Sequence, residues 1–167
     1  PTEKNPDALS EPAMINRQEG DIAQAQAMYS RLPQLNPLDP LARAGLLESV
    51  QNFSPSQQES QLRALQNEFP NFSPLAFALG NLFASQSRWN EAQNAYFDAL
   101  LIANEVGSNA ISPDYAFNLA VSLERLNQLD LAYSYYQQAL DLSSASPAGF
   151  NMDNLNQHMA YLEEVLQ

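Results

Sequence analysis

The sequence predicts an all-α fold, a row of helix pairs closed by one further helix. Three observations predict it. Small and large apolar residues return at the same offsets in two stretches, one from Ser73 and one from Pro113. Asp39-Pro40, Ser54-Pro55, Ser73-Pro74 and Ser112-Pro113 each set an N-cap oxygen before a proline at the first helical position, where a missing N–H is no loss. No stretch alternates apolar and polar residues with the period of two that a half-buried strand requires.

The stretch from Ser73 reads Ala76-x2-Leu79-Gly80-x2-Phe83, then Ala92-x3-Tyr96-x2-Ala99. From Pro113 the same spacing gives Ala116-x2-Leu119-Ala120-x2-Leu123, then Ala132-x3-Tyr136-x2-Ala139. Apolar residues fall three and four apart at Leu75, Leu79, Leu82 and Phe83, at Leu119, Leu123 and Leu126, and at Tyr133, Tyr136 and Leu140. Gly80, Ala92, Ala99, Ala120, Ala132 and Ala139 suit places where helix backbones cross closely, leaving Phe83, Tyr96 and Tyr136 to fill the gaps. Two fainter copies lie upstream: Ala25-x3-Tyr29-x2-Leu32 after Gly20, and Ala42-x2-Gly45-Leu46-x2-Ser49 followed by Leu62-x2-Leu65. Repeats therefore start near residues 6, 39, 73 and 113. Ser143 to Asn151 reads as a loop, and Asp153 caps a last helix over 152–166. Its apolar stripe is Met152, Leu155, Met159, Leu162 and Leu166, with Gln157, His158, Glu163 and Glu164 off it. One domain over 1–167 is expected.

These offsets resemble the tetratricopeptide repeat (TPR) family, whose unit is about 34 residues long. The steps between starts match that period except the last, which is about six residues longer. The resemblance covers nearly all of the chain up to Ser144. It implies a right-handed superhelix, an α-solenoid of about four helix pairs with a C-terminal capping helix, and non-enzymatic binding of a partner peptide or helix in the concave groove. Carried over position by position, the groove would be lined by Arg43 and Leu47 with Val50, by Phe77, Ala78, Asn81, Ala84 and Ser85, and by Phe117, Asn118, Val121, Glu124 and Arg125. The run from Ser112 to Leu123, with the amide-rich, low-lysine composition, resembles the TPR segments of bacterial cell-envelope assembly proteins serving type IV or MSHA-type pili and secretion machines. That implies a role on the periplasmic side of the envelope.

Composition removes most other functions. With 19 Asp+Glu against 7 Lys+Arg, a formal charge of −12 and a pI near 4.2, the chain repels nucleic acid and anionic membrane surfaces. It has no cysteine, one histidine (His158) and one lysine (Lys4), so thiol chemistry, disulfides, cysteine zinc sites and multi-histidine metal sites are excluded. Neither G-x-G-x-x-G nor G-x-x-x-x-G-K-[ST] occurs, so those routes to a nucleotide are closed, and no cofactor or metal is expected. The longest nearly apolar run, Leu75 to Ala84, is far short of the roughly 20 residues of a membrane span, while 45% apolar residues are too many for disorder. A soluble, folded segment follows. Because it begins at Pro1 without a signal-peptide pattern, it is expected to be a piece of a longer protein.

Each remaining chemical candidate has a simpler structural explanation. His158 reads as a solvated histidine on the polar side of its helix, and Glu163-Glu164 as a solvated face, since no D-x-D-x-D-G loop gathers oxygens for calcium. Of Tyr133, Tyr135 and Tyr136, the last is a repeat core position. Chaperone-binding TPR proteins clamp a C-terminal carboxylate with two asparagines and several cations. Asn81 and Asn118 match the asparagines, but Phe77 stands where a lysine would be and the last helix offers no cation, so a carboxylate would be desolvated at a loss. The expectation is an enzymatically silent protein-interaction scaffold, held to its partner by Phe77 and Phe117 with amide hydrogen bonds. The alternatives are a regulatory module attached to a catalytic region elsewhere and homo-oligomerisation through the array or the last helix.

Overall fold

The computed structural model describes residues 45, 47, 48, 50–108 and 110–167, which fall in two compact units parting after Leu65. The helix pair expected from residue 6 and the Asp39-Pro40 cap lie outside the described residues. In the first unit Gly45, Leu47 and Glu48 are helical and Val50 is buried. Helix α1 (Pro55–Glu68) starts at the expected proline and buries Leu62 and Leu65. Its start is tied in reverse of the expected manner: the Ser54 N–H and hydroxyl both donate to Gln57 Oε1, at 3.1 and 2.9 Å. This is one half of a capping box, with the glutamine three residues in serving as acceptor.

The second unit consists of α2 (Ser73–Ser85), α3 (Trp89–Glu105), α4 (Pro113–Arg125), α5 (Leu129–Leu142) and α6 (Met152–Val165). Each helix packs on its neighbour in the chain, α2 on α3, α3 on α4, α4 on α5 and α5 on α6. Gly80, Ala92, Ala99, Ala120, Ala132 and Ala139 are buried between these helices, with Phe83, Tyr96 and Tyr136 filling the space they leave. Gly80 shows why the pattern needs them: a Cβ there would sit 2.5 Å from two carbons of the Tyr96 ring. The two helix pairs turn identically. Ser87 and Asn127 adopt φ of 58° and 60°, and the following N–H groups of Arg88 and Gln128 each return to a carbonyl five residues back, at 2.9 Å.

Helix starts follow the expected sites with two corrections. Ser112 caps α4, its hydroxyl accepting from the Asp114 N–H at 3.3 Å. Ser73, however, is already the first residue of α2, and Phe72 precedes it without a side-chain cap. The Ser73 hydroxyl lies 3.2 Å from the Tyr115 hydroxyl, so a partner one repeat away has taken it. For α6 the cap is Asn151, whose Oδ1 accepts from the Asp153 N–H at 2.7 Å; Asp153 is within the helix. Leu155 and Leu162 of the expected stripe are fully buried, whereas Met152 and Leu166, at the two ends of the helix, are exposed. A further tie joins α5 to α6, the Tyr133 hydroxyl donating to Glu163 Oε1 at 2.7 Å. No helix among the described residues is long and apolar enough to cross a membrane.

Candidate functional site

Phe77 and Phe117 sit at matching places on α2 and α4, and each leans on two aromatic rings. Phe77 lies between Tyr96 and Tyr115, with ring centroids 5.6 and 4.9 Å away. Phe117 lies between Tyr136 at 5.6 Å and Phe150 at 4.3 Å, the latter nearly parallel with 10° between planes. His158 meets the edge of Phe117 at 6.4 Å. Both phenylalanines are half-buried.

The polar residues expected beside them are already engaged. Asn81 Oδ1 accepts from the Tyr96 hydroxyl at 2.7 Å, and Asn118 Nδ2 donates to the Asp114 carbonyl at 2.8 Å, one turn back on its own helix. These bonds use the Asn81 amide oxygen and the Asn118 amide NH2, and leave the Asn81 NH2 and the Asn118 oxygen outside them. Glu124 Oε2 accepts from the Tyr136 hydroxyl at 2.7 Å and faces His158 Nδ1 at 2.8 Å. Burial drives the Tyr136 phenol far above the usual tyrosine range, helped by this bond to Glu124, and burial does the same to Tyr96. Both hydroxyls are locked as donors, so each acceptor's orientation is set by the ring behind it.

The structure brings Phe117, Asn118, Val121 and Glu124 together along α4, with Val121 half-buried among them. Arg125, one residue further on, sets its guanidinium over the Trp89 ring of α3, 5.4 Å from the centroid, in a cation–π contact. Leu47 is half-buried in the first unit, and Arg43 lies outside the described residues.

His158 corrects the sequence expectation. Instead of standing free, it stacks on Tyr136 with centroids 5.2 Å apart and reaches Glu124. The signal was present in its spacing, since position 158 is three residues after Leu155 and four before Leu162, on the same helical face as both. Two further contributors gave no such signal. Phe150 comes from the loop before α6, and Asp114 Oδ1 accepts the Gly149 N–H of that loop at 2.8 Å. Among the described residues no group of three or more His, Asp or Glu side chains is placed to hold a metal ion. The arrangement has an aromatic floor, amide edges and two carboxylates, which suits holding an extended chain by its apolar side chains and N–H groups.

Residues 75–110 and 116–147 match the tetratricopeptide repeat family. No curated protein sequence matches the chain. Among solved structures it is similar to PilF of Pseudomonas aeruginosa, with a TM-score of 0.56 and 18% identity over 94% of this chain and 67% of that one. It is similar as well to a thermophilic TPR protein of Thermus thermophilus, with a TM-score of 0.53 and 20% identity over 95% and 81%. A chain of the APC/C hetero-tetramer Cut9–Hcn1 gives a TM-score of 0.58 at 16% identity, over 98% of this chain and 37% of that one. At these identities the likeness is one of fold, that of an α-solenoid built from helix pairs.

Proposed function

We propose that this tetratricopeptide-repeat chain is a non-enzymatic scaffold that binds a partner peptide or helix across α2 and α4, with Phe77 and Phe117 as its apolar anchors. The observation that carries the reading is the recurrence of one device at equivalent places. In both repeats a half-buried phenylalanine is backed by the tyrosine of its own helix pair, beside an amide or carboxylate that the same tyrosine orients. Anchors held rigidly before binding lose little conformational freedom when a partner arrives. The occurrence of this fold in a hetero-tetrameric assembly and in PilF supports the same reading, and PilF supports assembly of a bacterial envelope machine such as a pilus as the setting.

The test is affinity capture from the native organism, followed by binding of the captured partner to the double variant Phe77→Ser, Phe117→Ser. Affinity should fall by a few kcal/mol, as on losing central anchors, with only weak dependence on salt because few cations lie nearby. Unchanged affinity would place the interface elsewhere. A second reading, self-association, is favoured by Tyr161 and Val165, which stand one turn apart on α6 at 54% and 49% exposure. Solution mass at rising concentration decides it.

A further inference from the structure

We propose that the segment Ser146–Phe150 is a strap occupying the α4 site in place of a partner, and that the ligand displacing it is an extended peptide carrying glycine followed by an aromatic residue. This rests on the binding surface proposed above and names what that surface takes. In the preceding repeat the outer ring on Phe77 is Tyr115, borne by helix α4 and within hydrogen-bond reach of Ser73. On Phe117 the corresponding ring is Phe150, borne by a loop. One half of the surface is thus covered by a fixed part of the fold, and the other by a segment that can leave without unwinding a helix.

The contacts of that segment are those of a bound peptide. Phe150 lies flat on Phe117, and the Gly149 N–H donates to Asp114 Oδ1 at 2.8 Å. A Cβ on residue 149 would stand 2.7 Å from Asp114 Oδ2 and 3.2 Å from its Cγ, so a larger residue there must push the Asp114 carboxylate out of the position in which it accepts the residue 149 N–H. Asp114 is an acceptor, as a partner's backbone N–H requires, and with a chain charge of −12 it disfavours a ligand that brings its own carboxylate. The strap is imperfectly satisfied where it lies. Ser146 is 8% exposed, and its hydroxyl oxygen is buried with no hydrogen-bond partner. Lifting the strap returns that group to water, which offsets part of the loss of the Phe150 stack.

The experiment uses the full chain and a fluorescent peptide with the sequence of residues 144–152. In the wild type the tethered strap competes at an effective concentration on the order of millimolar. Phe150→Ala should therefore bind the peptide at least tenfold more tightly than wild type. Adding Phe117→Ala to that variant should abolish binding, and alanine in place of the peptide's glycine should weaken it at least tenfold. Should Phe150→Ala lose helicity by circular dichroism, Gly149→Ala takes its place, since it dislodges the strap from Asp114 and keeps the ring. Equal binding by wild type and variant, binding that survives loss of Phe117, or no binding by a folded variant would each overturn the strap. Failure of the broader binding surface would look different, with the captured partner indifferent to Phe77 and Phe117 while the peptide still exchanged at Phe117.

Discussion

The Tyr136 hydroxyl donates to Glu124 Oε2 at 2.7 Å, joining the middle of α5 to the last turn of α4. Tyr136 is fully buried, so its hydroxyl has no water to turn to if the carboxylate is removed. Glu124→Ala should lower stability by about 1–3 kcal/mol, the penalty of an orphaned buried donor. Glu124→Gln keeps an acceptor and should lose less than half as much. Urea denaturation of the two variants checks the order, and equal losses would mean that the charge facing His158 matters more than the acceptor.

Tyr96 and Tyr136 make the protein sensitive to alkali. Unfolding releases phenols that titrate at the ordinary value of 10.0, whereas burial holds both protonated well above it in the folded state. The sign follows: their contribution is complete below pH 10 and is lost as pH rises, by up to about 1.4 kcal/mol per pH unit for each ring. Denaturation midpoints should be flat approaching pH 10 and fall steeply above it, and Tyr96→Phe should roughly halve the slope of the fall.

Gly80→Ala tests the closest approach in the α2–α3 pair. The new methyl would overlap the Tyr96 ring, buried to 2% exposure with no room to retreat, so a loss of about 1–3 kcal/mol is expected. A smaller partner, Tyr96→Leu, should absorb part of that loss. The double-mutant cycle then shows a coupling energy between the two positions, and strict additivity would contradict the overlap.

Helix α6 closes the second unit through Leu155 and Leu162, both without solvent exposure. Either residue changed to alanine should remove about 2–5 kcal/mol. Deleting residues 151–167 should uncover the part of α5 on which α6 packs and drive association, visible by light scattering, together with a lower melting temperature. A monomeric truncation with an unchanged melt would sink this account of α6.

What the sequence made legible, and what it did not, divides along a physical line. Gly80 with Tyr96, and Ala120 with Tyr136, could be read because helix crossing imposes a fixed spacing on small and large residues. The strap contact of Gly149 with Asp114 follows no such spacing. It joins a loop to a helix start 35 residues away. The side-chain type of His158 points to solvent, whereas its helical phase, between Leu155 and Leu162, points to the packed face, and the phase prevails. The contact of Arg125 with the Trp89 ring is likewise absent from the repeat spacing. Repeat period determines backbone placement, while long polar side chains choose among neighbours that the period does not encode.

The packing of every helix in the second unit on its chain neighbour bears on how the chain acquires its shape. Even a tie as long as Ser73 to Tyr115 spans only 42 residues, and His158 to Glu124 spans 34. Loops that short close at little entropic cost, so each helix hairpin can form by itself and template the next. Refolding of this unit should be fast, in the range of microseconds to milliseconds that local contacts permit. The order in which its hairpins appear would be set by their individual stabilities rather than by one distant nucleus, so a growing chain could begin to fold from whichever hairpin is first complete.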